Sequence, residues 1–257
     1  MSAAITARQR NKSATVISND MRQSGLFKAR EVGNYPGMPG ISGAELLEKL
    51  AAHAAGSGAE MTAGRVFSIL QSAGTFYVGF GNEILESKSV IIATGVAQST
   101  LFPGEEELLG NGVSYCATCD GMLYRGKRVC VVCLSPEAAG EADYLESIGC
   151  EVVRLDTRDI IINGDERVAS VTADGKQIIC DGVFILRQAV APHLLTANLE
   201  VHDGYIRTGP SGETNIPGIF AAGDCAGAPH QIAKAVGQGQ IAALAAEEYI
   251  RKCEIKV

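Results

Sequence analysis

The chain has 257 residues and a mass of 26.9 kDa, and its 22 basic and 29 acidic residues leave a net charge of −7. This length is enough for one or two domains with a hydrophobic core, and an apolar content of 46% excludes a disordered chain. The acidic balance argues against a dedicated nucleic-acid binder. No apolar run approaches the ~18 residues of a membrane span and the N-terminus lacks a signal-peptide pattern, so we predict a cytoplasmic protein that binds neither membrane nor nucleic acid.

The N-terminal region predicts a helix followed by a strand. Residues 2–10 favour a helix with one small apolar face, and residues 14–18 favour a short strand. A helix that feeds a strand normally follows an earlier strand, so we expect the chain to begin in the middle of a β-α-β unit. After a turn-rich loop, Ser42 and Glu45 are spaced as a capping box for a helix that ends near Ala55.

Short strands dominate the rest of the chain. The run 90–93 is apolar without interruption, which is typical of a strand buried on both faces. Residues 128–155 predict a β-α-β unit, and an Ala-rich helix from Gln231 to about Arg251 closes the chain. The strands that we predict after the capping box are 62–70, 75–79, 88–93, 128–133, 151–155, 160–163, 168–173, 177–180, 183–186 and 219–224, with a helix over 136–147.

The order of these elements predicts an α/β fold of two domains. Strands that alternate with helices are typical of parallel sheets with helices on their faces. A central unit, residues 113–187, looks inserted into a larger unit built from both ends of the chain. We therefore expect a discontinuous domain made of residues 1–112 and 188–257, and a shortened central domain between its two parts.

The motif with the clearest chemistry is Cys116 and Cys119, followed by Asp120. The chain's eight cysteines are too sparse for a disulfide scaffold, and closely spaced cysteines in a reducing compartment are more often catalytic or metal-binding. Two thiols at this spacing can close into a disulfide when the second lies at a helix start, where free N–H groups favour a thiolate. Asp120 lies beside the pair and is a candidate for exchanging protons with it.

Two other interpretations of this pair stay open. A structural zinc site needs four ligands, and Cys130 and Cys133 offer a second pair. These two residues lie three apart on a predicted strand, so they point to opposite faces and we predict no metal site. The remaining interpretation is that Cys116 and Cys119 are buried structural thiols.

A second motif ends the predicted strand 219–224 in Gly223 and Asp224. Open α/β sheets bind ligands at the carboxyl ends of their strands. Glycine allows a close approach of the backbone, and the carboxylate can accept hydrogen bonds from sugar-like hydroxyls. The helix that starts near Gln231 offers free N–H groups to a polar or anionic group, which together favours a ligand site.

Three segments, 91–95, 116–121 and 219–224, resemble in this order the low-molecular-weight flavin thioredoxin reductases, and the resemblance extends over nearly the whole chain. It implies a two-domain α/β fold of the thioredoxin-reductase type, in which a Rossmann-type FAD-binding domain carries an inserted, reduced second nucleotide-binding-like domain. It also implies a disulfide oxidoreductase with FAD as cofactor and a thioredoxin-like protein as partner. A homodimer is expected, although the Ala-rich closing helix could equally face its own sheet.

The resemblance also implies roles for individual residues. Cys119 would face the flavin, Cys116 would attack the disulfide of the partner, and Asp120 would match the family's acid. The residues implied to bind FAD are Asn34, Thr94, Gly95, Gly223, Asp224, Gln231 and Ile232.

The central domain departs from the family at its nucleotide motifs. A phosphate loop needs glycines after the first strand, and the segment 133–138 contains none. Glu137 at the predicted helix start would repel a phosphate. In the family, a basic cluster that binds the 2′-phosphate of NADPH follows the next strand. At that place this chain has residues 155–158, Leu-Asp-Thr-Arg. We therefore predict that this domain binds no pyridine nucleotide.

This departure resembles one branch of the family, the ferredoxin-dependent flavin thioredoxin reductases of anaerobic bacteria, in which reduced ferredoxin supplies electrons to FAD. Segments 121–127, 133–138 and 184–192 carry that resemblance. A ferredoxin, which is usually acidic, needs a basic landing surface. Residues 1–30 provide a local excess of positive charge, with Asp20 as the one acid among six basic residues: Arg8, Arg10, Lys12, Arg22, Lys28 and Arg30.

The N-terminus also departs from the family pattern. The family begins with a strand and a GxGxxG loop, and neither has a counterpart in this sequence. We expect a gene model that starts at an internal Met, and weak or no FAD retention by this form. Two alternative functions remain: a thioredoxin reductase that uses NADPH or NADH, and a flavin-free redox sensor or scaffold.

Overall fold

The computed structural model describes residues 1–95, 101–134, 138–187 and 192–255. Within these ranges the helices are α1 Ser2–Gln9, α2 Gly25–Lys28, α3 Gly43–Gly56, α4 Ala117–Asp120, α5 Ala138–Ser147, α6 Pro192–Leu195 and α7 Ile232–Ile255. Short 3-10 turns cover Met21–Gln23, Gly121–Tyr124 and Asp224–Ala226. None of the helices in this part of the chain combines the length and the apolar character needed to cross a membrane.

The strands are short, and some alternate with helices while others follow one another directly. They are β1 Thr15–Ser18, β2 Glu60–Ala63, β3 Val66–Ser72, β4 Thr75–Phe80, β5 Glu83–Ser87, β6 Val90–Ile92, β7 Val113–Ser114, β8 Arg128–Leu134, β9 Glu151–Leu155, β10 Ile160–Asn163, β11 Ser170–Ala173, β12 Lys176–Ile179, β13 Gly182–Arg187, β14 Val201–His202, β15 Tyr205–Ile206 and β16 Ile219–Ala221. The fold is therefore α/β, as predicted.

The chain forms two compact units, which are described separately. Unit 1 comprises Met1–Phe80, Ile84–Ala97 and Ala191–Val257, and unit 2 comprises Gly81–Glu83 and Gln98–Val190. Residues 101–112, which the sequence places in the first domain, group with unit 2.

Unit 1 is built on short parallel strand pairs covered by helices. β1 pairs with β2 and β16 pairs with β6, both in parallel. β3, β4 and β5 form a separate three-stranded sheet. The small residues Ala242 and Ala246 of α7 pack against Phe220 and Ala222, so the long closing helix lies against the end of β16. This packing positions the start of α7 beside the loop that follows β16.

Unit 2 contains a four-stranded parallel sheet in the order β7-β13-β8-β9. Its middle strands, β8 and β13, are apolar along nearly their whole length and are buried on both faces, which is typical of parallel sheets. α5 covers one face, where Ala142 and Leu145 pack against Val129, Val131 and Phe184. A three-stranded antiparallel sheet, β10-β11-β12, completes the unit.

Several predicted boundaries are wrong. The single strand predicted over 62–70 is two strands, because β2 pairs with β1 whereas β3 pairs with β4 in a separate sheet. Between them, a Cβ at Gly64 would lie 2.7 Å from the ring of Phe80, so the position suits glycine. Strand β5 was missed, because its polar ends and lack of clear alternation give a weak signal. The closing helix runs to Ile255 rather than Arg251.

Candidate active site

The end of β7 leads directly into the cysteine motif. Cys116 is buried and disulfide-bonded, and α4 begins one residue later. The side chain of Cys119 lies outside the described part of the structure. Cys116 donates its backbone N–H to Ser114 Oγ at 3.1 Å, and the Ser114 hydroxyl donates to Asp120 Oδ2 at 2.7 Å. Asp120 is therefore connected to the cysteine segment, as its position in the sequence predicts, but through a serine that no sequence motif indicated.

A second carboxylate holds the start of α4. Glu141, in the first turn of α5, accepts the backbone N–H of Ala117 through Oε2 at 3.2 Å. This N–H is one of those left without a partner at a helix start, and a carboxylate is the side chain that satisfies it best. The contact fixes α4 on α5. Sequence reasoning missed Glu141, because it lies 24 residues from Ala117 along the chain.

In unit 1, parallel pairing brings two loops together. Ile92 lies opposite Ala221, and Ala222 donates its N–H to Ile92 O at 3.0 Å. The loops that follow the two strands therefore start side by side. Gly95 and Gly223 adopt φ values of +76° and +82°, a region that other residues rarely enter, so both loops depend on glycine.

Asp224 begins the 3-10 turn that follows β16, and one of its carboxylate oxygens has an unusual environment. Its Oδ1 atom is buried and has no hydrogen-bond partner among the described residues. A buried carboxylate oxygen without a partner is costly, so such an atom is expected to meet a donor from a ligand or water.

The neighbouring Cys225 is a structural thiol. It is almost fully buried and lies against Ile92 O and Ala222 O, each at 3.3 Å. Burial raises the pKa of this thiol, and backbone N–H groups including those of Thr94 and Gly95 oppose that shift. Thr94 and Gly95 therefore lie beside the residue that follows Asp224.

The start of α7 completes the group of predicted cofactor residues. Ile232 is its first residue, and Gln238, less than two turns further, accepts the Gly223 N–H through Oε1 at 2.9 Å. Asn34 Nδ2 donates to Gln231 Oε1 at 2.6 Å. All seven predicted residues lie in unit 1. These contacts link Asn34 to Gln231 and Gly223 to α7.

The place for a second nucleotide in unit 2 looks different. Residues 135–137, including Glu137, lie outside the described part of the structure. Near the end of β9, the Arg154 guanidinium donates to Asp143 Oδ1 at 2.6 Å and to Glu146 Oε1 at 2.9 Å, and these hydrogen bonds raise its pKa further. Thr157 donates to Asp174 at 2.6 Å. These groups are already paired within the protein.

The described ranges contain no group of three or more potential metal ligands. Cys133 packs on the α5 side of the sheet, whereas Cys130 is fully buried and lies outside that cluster. The two cysteines of the second pair thus have different neighbours, as their spacing predicts. His230 is exposed and lies 3.2 Å from the Tyr205 hydroxyl through Nε2.

Comparison with known proteins gives the family of the chain. The family model "Pyridine nucleotide-disulphide oxidoreductase" matches residues 1–171 and 160–239. The thioredoxin reductase of Bacillus subtilis is 30% identical, over 99% of this chain and 92% of its own. A ferredoxin-flavin thioredoxin reductase from Clostridium acetobutylicum superposes with a TM-score of 0.89 at 37% identity, over 99% of this chain and 94% of its own.

A thioredoxin reductase from Lactococcus lactis also matches, with a TM-score of 0.58 at 30% identity, over 98% of this chain and 95% of its own. Thioredoxin reductases of this family are FAD flavoproteins, and FAD is the cofactor of this chain. With matches that extend over almost its whole length, the chain belongs to the pyridine nucleotide-disulphide oxidoreductase family and, within it, to the thioredoxin reductases.

Proposed function

We propose that the protein is a flavin-dependent thioredoxin reductase that receives electrons from reduced ferredoxin. Unit 1 binds FAD, and unit 2 carries the dithiol of Cys116 and Cys119, which reduces the disulfide of a thioredoxin-like protein. The observation that carries the proposal is the Cys116 disulfide with Ser114 and Asp120 hydrogen-bonded beside it.

The residues at the end of β16 fit the cofactor. Asp224 presents a buried carboxylate oxygen without a partner in the described structure, which suits the hydroxyl groups of the FAD ribitol chain. Gly95 and Gly223 leave the backbone accessible, and Asn34, Thr94, Gln231 and Ile232 complete the set. When bound, FAD supplies the electrons that open the disulfide.

The dithiol reaction needs two electrons and two protons for each thioredoxin disulfide that is reduced. The Cys116 thiolate attacks one sulfur of the partner disulfide and forms a mixed disulfide, while the other partner sulfur leaves as a thiolate. Cys119 then attacks Cys116, releases the second partner thiolate and restores the disulfide of the enzyme. Asp120, held by Ser114, is the group placed to transfer a proton to a leaving sulfur.

The choice of donor rests on unit 2. Its segment 133–138 contains no glycine, and the side chains around the end of β9 are paired with one another. A nicotinamide dinucleotide needs N–H groups and cations that remain free for its phosphates. The high similarity to the Clostridium acetobutylicum protein supports ferredoxin as the donor.

Fewer basic residues are available for docking ferredoxin than the sequence indicates. Arg8 donates to Ser57 O and Lys12 O, Arg10 pairs with Glu247, and Arg22 pairs with Asp20. These three arginines therefore have partners within the protein. The exposed cations of this segment that we assign to ferredoxin are Lys28 and Arg30.

The proposal includes a homodimer in the cytoplasm. α7 leaves Ile241 46% exposed and Leu244 38% exposed, which supports contact with a second copy of the chain. Light scattering of the purified protein tests this part, and a monomeric mass at all concentrations would contradict it.

The donor is tested with the FAD-loaded protein under anaerobic conditions. Reduced ferredoxin is expected to bleach the flavin absorbance rapidly, with a rate that falls as salt is added because the encounter is electrostatic. NADPH and NADH are expected to leave the spectrum unchanged over the same time. Rapid bleaching by NADPH would contradict ferredoxin as the donor and support the NADPH-dependent alternative, whereas a protein that binds no FAD would support the flavin-free sensor.

A further inference from the structure

Unit 1 contains a lysine at an electrostatically unfavourable place on α7. Lys234 is the third residue of this helix, so it lies in the first turn. The N–H groups at a helix start carry partial positive charge, which repels a cation. The other two cations of α7, Arg251 and Lys252, lie near its carboxyl end, where the helix dipole favours them. Local partners must therefore offset the repulsion at Lys234.

The partners of Lys234 are two backbone carbonyls of the loop that precedes α7. Its ammonium donates to Gly223 O at 3.1 Å and to Gly227 O. Gly223 comes directly before the 3-10 turn Asp224–Ala226, and Gly227 comes directly after it. Lys234 is half-buried, which strengthens these charge-assisted hydrogen bonds. The lysine thus binds both ends of one turn.

The turn has a flexible residue at each end. Gly223 and Gly227 adopt φ values of +82° and +102°, and glycine restricts the backbone less than any other residue. Two backbone hydrogen bonds close the turn, from Ala226 N–H to Gly223 O at 3.1 Å and from Gly227 N–H to Asp224 O at 3.2 Å. Gln238 of α7 also accepts the Gly223 N–H. The start of α7 therefore holds the turn with one cation and one amide.

This turn carries the carboxylate that is assigned to the cofactor. Asp224 is its first residue, and the buried Oδ1 atom has no hydrogen-bond partner among the described residues. A carboxylate oxygen of this kind contributes to binding only if the backbone keeps it where a hydroxyl group of the ligand can reach it.

We propose that Lys234 is a positioning residue for FAD binding, which clamps both ends of the turn and thereby holds the Asp224 carboxylate in place. Without the ammonium, two carbonyls lose a donor and the turn between two glycines gains conformational freedom. Part of the binding free energy of FAD is then used to order the turn. The inference rests on the assignment of Asp224 to FAD and is independent of the electron donor.

FAD titration of the apoprotein, followed by flavin fluorescence, tests the role of the charge. Lys234→Met keeps the length of the side chain without the ammonium and should raise the Kd for FAD about tenfold. Lys234→Arg keeps a cation with several N–H donors and should restore the affinity to within about threefold. Lys252→Met is the matched control, because this exposed lysine of the same helix pairs with Glu248, and it should leave the Kd unchanged.

A double variant separates positioning from general stabilisation. If Lys234 acts through Asp224, adding Lys234→Met to Asp224→Asn should change the Kd by less than about twofold, because the two losses are not independent. Circular dichroism of each apoprotein checks the fold, and Lys234→Gln replaces Lys234→Met if the latter does not fold.

Three results would overturn the inference. An unchanged Kd in Lys234→Met, with weaker binding by Asp224→Asn, would exclude Lys234 alone. Fully additive losses in the double variant would show that the lysine does not act through the carboxylate. An unchanged Kd in Asp224→Asn would remove the assignment of Asp224 to FAD, and the positioning role of Lys234 with it.

Discussion

β16 in unit 1 and β9 in unit 2 both belong to parallel sheets, yet the polar groups at their carboxyl ends are used differently. After β16, Gly223 opens the backbone and Asp224 keeps a buried oxygen without a described partner. At the end of β9, Arg154 and Thr157 are paired with carboxylates of the same unit. Polar groups that are already hydrogen-bonded within the protein contribute little additional binding free energy to a ligand. A parallel sheet is therefore not sufficient to form a nucleotide site.

The largest expected effect on activity comes from removing the reactive sulfur of Cys116 in unit 2. Cys116→Ser should reduce thioredoxin reduction by about 10³-fold or more, because no other group can form the mixed disulfide. The FAD content should stay unchanged, since the cofactor residues belong to unit 1. Insulin-coupled turnover and the flavin spectrum measure the two properties, and Cys133→Ser serves as the control. Loss of FAD in Cys116→Ser would contradict the assignment of FAD binding to unit 1 and of the dithiol to unit 2.

A substitution in the cofactor site of unit 1 is expected to weaken FAD binding. Asp224→Asn should weaken FAD binding about 10- to 100-fold, because a hydrogen bond to a charged group contributes roughly 1.5–3 kcal/mol. Flavin fluorescence during FAD titration of the apoprotein measures the affinity. The matched control is Asp203→Asn, an exposed carboxylate of the same unit. An unchanged affinity would remove Asp224 from the cofactor site.

Ser114 tests whether Asp120 is held for proton transfer. Ser114→Ala should lower turnover by about tenfold, since one hydrogen bond to a carboxylate is lost. Ser170→Ala, which removes another buried serine of unit 2, should leave turnover unchanged. Normal turnover of Ser114→Ala would exclude the role of Ser114.

The smallest expected effect is on the rate of electron transfer from ferredoxin to the flavin. If ferredoxin docks on unit 1, Lys28→Glu and Arg30→Glu should slow flavin bleaching by about two- to fourfold at low salt, and the difference should shrink as salt is added. Lys176→Glu, an exposed charge reversal on β12 of unit 2, should leave the rate unchanged. A larger effect of Lys176→Glu would place the docking surface on the other unit.

Sequence patterns predicted most elements because each depends on local periodicity and caps. Ser42 does cap α3, accepting the N–H of Glu45, and β8, α5 and β9 follow in the predicted order. Site residues that belong to a motif, Asp120 and Asp224, could be found in the same way. Local patterns could not indicate contacts that depend on how distant elements pack.

Two features illustrate this limit. Glu141 reaches Ala117 because α5 lies on α4. The strand predicted over 62–70 is divided because β2 pairs with β1 whereas β3 pairs with β4, and the ring of Phe80 leaves no room for a side chain at Gly64 between them. Both features depend on how distant elements pack, which a single sequence does not contain.

The most direct test of the central claim is a calorimetric titration of NADPH into the FAD-loaded protein. The claim is that one unit of this chain binds a dinucleotide and the other does not, although both contain parallel sheets. We predict no saturable heat for NADPH or NADH, whereas the apoprotein should bind FAD, although weakly, with one site per chain. Saturable binding of one NADPH per chain would contradict the assignment of unit 2 and, with it, ferredoxin as the necessary donor.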